Sequence, residues 1–332
     1  MSLWKNTAPN DSGVIKHRGR LRQLVIYLDK FFRLFILQND WKVLPMSAII
    51  AAMVSLAVGK WMFVTMEGTF QGTFALACVC IWNGFFNSIQ SICRERAVIK
   101  REHRAGLHIT SYVGAHLIYQ AFLCIAQTLI TIYVCGITGV VYPTEKVISS
   151  MLGNEGSVGA FTFELFITLF LITYTADLMA LMISAIVHTQ MAAMTVMPFM
   201  LIVQLVFSGF IALPEALSDV TRLMLSKWGV QGLCVISGYN DLPAVMIWNK
   251  MSSGGDKIDI GGGVSLKDVM DIVEEQGMRE TVLQKLGQAN QRADFASTIN
   301  NLVESWAFLI TLAAVFAIVT IVFLEFIDRD KR

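Results

Sequence analysis

The chain has 332 residues and a net charge of +1, and 55% of its residues are apolar; the mean hydropathy is +0.59. This composition excludes a pair of ordinary soluble domains, because apolar runs of roughly 20 residues recur and each can cross a hydrocarbon core about 30 Å thick. Backbone groups in lipid must bond within their own segment, so the runs are predicted to be helices and the fold an all-α integral membrane one.

Residues 1–19 are polar and basic and lack the apolar core of a cleavable signal peptide, so they are expected to form a cytoplasmic tail. Residues 20–40 read as an amphipathic connecting helix at the membrane surface. Leu21, Leu24, Val25, Leu28, Phe32 and Phe35 follow helical spacing, with Arg22, Lys30 and Arg33 on the other side. Six spans are then predicted, at 43–64, 73–93, 111–141, 160–187, 191–211 and 306–327. Trp41 and Trp61 are placed to anchor the first at the two interfaces. Residues 41–211 thus hold spans one to five, and residues 306–332 hold the sixth and a short tail.

Between the second and third spans lies a charged elbow at 93–106, whose core at 94–106 is predicted to be a short cytoplasmic helix. Residues 212–305 are expected outside the cytoplasm, first as a re-entrant segment and then as a small helical cap. Ser265 and Asp268 fit a capping box there, and the glycines at 254–255 and 261–263 read as flexible breaks.

Charge placement sets the orientation. The first 42 residues carry eight Lys/Arg, the elbow five and the tail three, whereas the loops at 65–72 and 142–157 carry only Lys146. The positive-inside rule therefore puts both termini and the elbow in the cytoplasm. The six cysteines form no Cys-x-x-Cys pair, which argues for packed thiols over a disulfide framework or a metal site. No phosphate-binding loop, zinc-protease motif or nucleophile elbow occurs, nor a basic nucleic-acid patch. The chain is expected to be no enzyme and to bind no cofactor itself, so its energy must come from another polypeptide or an ion gradient.

Two intramembrane acids are candidates for function. Asp177 suits a proton or a cationic substrate, or else accepts hydrogen bonds from Tyr174, Thr175 or a neighbouring helix. Glu164 sits close enough to the outer interface for solvation to explain it. On the second span, Asn83, Asn87 and Gln90 with Trp82, Phe85 and Phe86 form a polar and aromatic mix that either bridges helices or lines a cavity.

Several short motifs have a familiar order. Glu95, Glu102 and Gly106 in the elbow are followed by Ser111 and Tyr112 opening the next span. Residues 181–187 (LMISAIV) give a small-residue span end, residues 207–211 read FSGFI, and Trp228 and Gly229 form an aromatic–glycine pair. In this order the motifs resemble the membrane domain of ABC exporters of the G subfamily, within the type-2 permease superfamily. The resemblance runs from residue 20 to the last span.

It implies two permease units around a central path, each served by a cytoplasmic ATPase that binds ATP and Mg. The elbow would be a coupling helix, with Arg94, Glu95, Arg96, Lys100, Arg101, Glu102 and Gly106 at the ATPase contact or against the connecting helix. Trp82, Asn83, Phe86, Ile202 and Leu205 would face the substrate path. Phe210 and Ile211 would form an apolar plug below the outer exit. Many family members join ATPase and permease in one chain and some staple the outer loop with disulfides. Here the permease stands alone and Cys234 is that loop's one thiol, which points to a bacterial inner-membrane subunit with a separate ATPase.

The resulting expectation is an exporter of an amphipathic or lipid-like substrate working by alternating access. A force-transmitting complex that signals through the outer cap is the alternative. An enzyme or ion-coupled carrier built on Asp177 is a third.

Overall fold

A computed structural model describes residues 19–37, 40–140, 142, 158–209, 218–240, 242–255, 259–261, 264–286 and 292–326. The first helix, α1 (Arg20–Leu37), is amphipathic in two ways. The face packed inward is formed by Leu24, Tyr27, Leu28, Phe31 and Leu34, which sit against α5 (Ile109–Ile137). Phe31 meets Tyr112 at 5.8 Å and His116 at 4.0 Å, centroid to centroid. Leu21, Val25 and Ile36 point away from the protein. The predicted apolar stripe therefore mixes two faces. A helix lying at an interface packs on protein with one side and on lipid with another, and periodicity alone does not separate them.

Five helical segments are long and apolar enough to cross a membrane: Asp40–Val58, Met66–Arg104, Ile109–Ile137, Phe161–Ile186 and Ile299–Glu325. They contain α2 (Val43–Val58), α3 (Met66–Ser88), α4 (Ser91–Arg104), α5, α6 (Val158–Ile186) and α13 (Ile299–Glu325). α3 and α6 form the centre, and α2 and α13 flank them with many apolar side chains exposed. The expected span at 191–211 corresponds to α7 (Gln190–Val206), an apolar helix of 17 residues with Pro198 inside it. At 1.5 Å per residue it reaches about 26 Å, short of a full crossing on its own. α2 ends at Val58, before the predicted limit, in a turn where Phe63 adopts φ +64° and its N–H is held by Thr69 Oγ1 at 3.0 Å.

The segment expected outside the cytoplasm is more deeply built in than surface helices would be. After α8 (Ser218–Arg222), α9 (Leu225–Ile236) is buried along almost its whole length among α3, α6 and α13. Trp228 stacks on Phe308 at 4.2 Å and donates its indole N–H to the Arg222 carbonyl at 2.7 Å. Gly229 is required by close approach, since a Cβ there would meet the Ile172 side chain at 2.9 Å.

α10 (Leu242–Gly254), α11 (Leu266–Glu275) and α12 (Arg279–Leu286) follow. An antiparallel hairpin, β1 (Asp259–Gly261) with β2 (Val264–Ser265), stands between α10 and α11, so the cap is not purely helical. The Ser265–Asp268 capping box forms, with Ser265 N–H donating to Asp268 Oδ2 at 2.9 Å and Asp268 N–H donating to Ser265 Oγ at 3.2 Å.

Candidate coupling helix and substrate path

The elbow is α4, and both its ends are fixed by chemistry readable in its neighbours. A helix start leaves backbone N–H groups without partners. At α4 no Gln90 side chain caps them; instead Ser184 Oγ, from the end of α6, accepts from the N–H of both Ile92 and Cys93 at 3.1 Å. In return α4 satisfies the last carbonyls of α6. Cys93 Sγ reaches the Ser184 and Val187 carbonyls at 3.0 and 3.1 Å, and Arg96 donates to Ala185 at 2.8 Å and Val187 at 3.4 Å. A guanidinium at a helix C-terminus also opposes the macrodipole favourably. Arg96 thus braces the central helix rather than presenting its charge outward.

The far end of α4 closes on Gly106 at φ +101°, with Leu107 N–H donating to the Glu102 carbonyl at 3.0 Å and Gly106 N–H to His103 at 3.0 Å. This is the glycine-terminated end that an L-residue accommodates only with strain.

Between these ends α4 is latched to α1. Lys30 Nζ pairs with Glu95 Oε2 at 3.1 Å, and the Tyr27 hydroxyl donates to Glu102 Oε2 at 2.5 Å. Gln23 closes the row, donating to the Gly106 carbonyl at 3.1 Å and accepting from His108 N–H at 2.9 Å. Burial, then the adjoining Glu102 carboxylate, push the Tyr27 hydroxyl well above its ordinary value of 10.0. The two acids therefore face the connecting helix. The exposed stripe of α4 is Arg94, Ala97, Arg101 and Arg104, with Arg94 reaching Asp40 at 3.6 Å and Lys100 half-buried.

Of the path candidates, Trp82 and Phe86 lie 5.6 Å apart and are about two-fifths exposed, and Ile202 on α7 is more than half exposed. Leu205 is half-buried. Asn83 does not join that exposed face: it is 4% exposed, on the side of α3 that packs inside the protein. Phe210 and Ile211 lie outside the described residues.

Asp177 is wholly buried and accepts from Ser88 Oγ at 2.8 Å, and Ser88 in turn accepts from Gln120 at 2.7 Å. Its expected local partners turn elsewhere. Tyr174 donates to the Leu117 carbonyl at 3.2 Å and Thr175 to Leu309 at 3.2 Å. Glu164 is 6% exposed, so burial in the fold and not interfacial solvation describes its surroundings. Asn87 and Gln127 exchange amide hydrogen bonds at 2.8 and 3.0 Å, tying α3 to α5.

Ser184, Tyr27, Gln23 and Gln120 were not singled out as functional from the sequence. A faint signal existed for one set: His116, Gln120 and Gln127 recur on one side of an otherwise apolar helix. Among the described residues no group of three or more His, Cys, Asp or Glu could hold a metal ion.

Residues 22–237, about two thirds of the chain, match the profile of the ABC-2 type transporter family. The match runs from α1 through α9 and so includes the latch, the α4–α6 junction and the buried helix α9. Comparison with curated proteins found no match. With α4, the central pair α3 and α6 and the buried α9 all inside the matched region, the chain belongs to the ABC-2 type transporter family and is a multi-pass membrane permease of an ABC-type transporter.

Proposed function

We propose that the chain is the permease of an ATP-driven exporter that carries an amphipathic or lipid-like substrate outward by alternating access. The observation that carries this reading is the latch. α4 is joined to α1 by Glu95, Glu102 and Gly106 and to α6 by Ser184 and Arg96. A push on its exposed basic stripe is therefore passed at once to the interfacial helix and to the centre of the bundle, which is what a force-receiving element needs.

In this account a separate ATPase subunit, holding ATP and Mg, docks on Arg94, Arg101 and Arg104 through an acidic surface. The chain itself makes no covalent bonds. Six crossings, with α7 and the residues after it as the fifth, place both termini on the cytoplasmic side of a bacterial inner membrane. Two permease units enclose the path, the exposed Trp82, Phe86 and Ile202 face it, and Phe210 with Ile211 plugs its outer end. Replacement of both plug residues by Ala is expected to change transport or basal ATP hydrolysis.

The experiment is Glu102→Arg in the complex reconstituted with the ATPase that co-purifies with the chain. Loss of the Tyr27 contact and a reversed charge on the latch should depress coupled ATP hydrolysis. Unaltered hydrolysis would remove α4 as the coupling element.

A further inference from the structure

The mutual capping of α4 and α6 has a counterpart at the C-terminal end of α7. Like α4, α9 starts without a side-chain cap of its own, its N-cap residue being Met224. Gln204, in the last turn of α7, takes that place, with Oε1 accepting from the Ser226 N–H at 3.2 Å. The end of α7 gains in return. Ser208 N–H turns to the Leu205 carbonyl, and the Gln204 carbonyl is answered by the Ser226 hydroxyl, which donates to it at 2.5 Å. The Gln204 amide N–H also reaches the Met179 sulfur of α6 at 3.7 Å. Gln204 and Ser226 are 3% and 1% exposed, so breaking the pair leaves buried polar groups unanswered.

One element runs between the two junctions. Residues 187–189 join α6 to α7 directly, and Arg96 of α4 donates to the Val187 carbonyl inside that turn at 3.4 Å. Thr189 caps the start of α7, accepting from Ala192 N–H at 3.2 Å. Ala193, Met197, Leu201 and Gln204 then form one buried face along α7, while Met191, Phe199 and Ile202 are exposed on the other. Pro198 lies on the exposed side and removes one bond of the helix, yet the buried face holds both halves of α7 against the protein. α7 is thus a strut tied by hydrogen bonds at both ends, to α4 through Val187 and to α9 through Gln204.

We propose that Gln204 is a positioning residue for transport: it fixes the start of α9 to the helical hairpin of α6 and α7, so that movement of α4 reaches α9 along α7. Its part in transport rests on α4 being the force-receiving element. The mechanical link itself belongs to the chain alone and is measured without an ATPase, so failure of the link and failure of the export reading are told apart.

The test uses the full chain in phosphatidylcholine nanodiscs, with no ATPase present. Gln204→Met keeps the length of the side chain and removes its amide. Hydrogen exchange of the amides at 225–229 should quicken about ten-fold, as the cap is lost. The distinguishing readout lies at the opposite end of α7, where Cys93 bonds the Val187 carbonyl. A membrane-permeant maleimide should modify Cys93 at least about three-fold faster in Gln204→Met. Ser226→Ala, which breaks the pair from the α9 side, should act in the same direction. Thr73→Val removes a contact between α3 and Cys234 of α9 that bypasses α7, and should leave the Cys93 rate as it is. In an Arg96→Met background, where the tie from α4 to the turn is already cut, Gln204→Met should add nothing to that rate. An unchanged Cys93 rate in both Gln204→Met and Ser226→Ala would make Gln204 a local cap of α9 and overturn the proposal. An equal rise in Thr73→Val, or an undiminished effect of Gln204→Met beside Arg96→Met, would overturn it as well.

Discussion

Ser184→Ala tests the junction between the elbow and the central helix. Ser184 is fully buried, and its hydroxyl is the shared acceptor for the N–H groups of Ile92 and Cys93. Removing it deletes the only side-chain cap that the described residues provide at the start of α4 and leaves two buried donors unanswered. A lost cap costs about 1 kcal/mol and an unsatisfied buried donor about 1–3 kcal/mol, so local destabilisation of about 2 kcal/mol is the low end. That raises the population with α4 opened at its start by about 30-fold.

Cys93 is the natural reporter, because the residue is 8% exposed and its thiol bonds the Ser184 and Val187 carbonyls around the end of α6. The rate at which a membrane-permeant maleimide modifies Cys93, followed by peptide mass spectrometry, should rise by that factor. The other buried thiols should react as before. If Cys93 in Ser184→Ala reacts at the unaltered rate, the hydroxyl does not hold the start of α4 and the mutual capping argument is wrong.

Other consequences of the latch are open to measurement. Lys30→Glu should uncouple ATP hydrolysis from the permease, and adding Glu95→Lys should restore it; a half-buried pair of this kind is worth only about 1 kcal/mol, so expression should survive both changes. Gly106→Ala forces a side chain onto φ +101° and should destabilise the end of α4 by about 1–2 kcal/mol, read as faster proteolysis at 104–108.

The raised Tyr27 hydroxyl favours the protonated, latched state. Its contribution is fully present below the ordinary value of 10.0 and is lost only as pH climbs above it, so latch-dependent coupling should be flat from pH 6 to about 9. A loss of coupling across that window in the wild type, absent in Tyr27→Phe, would contradict this. Cysteines placed at His103 and at the exposed Glu274 of α11 should label from opposite faces of the membrane, and labelling from one face would refute the six-crossing arrangement.

Much of the elbow was legible because a charged, glycine-terminated segment between apolar runs has few physical solutions. What the sequence left open was the direction of its charges. Glu95 and Glu102 lie seven residues apart on one face of α4, but nothing in that spacing says whether the face meets a partner or α1. The answer depends on Lys30 and Tyr27, which lie some 65 and 75 positions away in the chain. Asp177 shows the same limit: its local neighbours were plausible partners, yet the bond comes from Ser88 on another helix.

The helix α1 was recognised but its inward face was not, since lipid and protein accept the same apolar side chains. Asn83 looked like a path residue because helical spacing places it beside Trp82, while its burial is decided by the close approach of α6. Gly84 marks that approach, since a Cβ there would meet the Thr173 carbonyl at 2.4 Å. The family's order of motifs carried the assignment of the chain, and interhelical bonds supplied the mechanics.

The central claim is that an ATPase engages the exposed stripe of α4. Its most direct test is site-specific cross-linking from Arg101→Cys to the ATPase subunit in native membranes. The account predicts a cross-link from position 101 whose yield changes when ATP is added, and none from a cysteine at the exposed Glu274. Absence of any adduct at 101, with an ATPase cross-link from 274 instead, would contradict it.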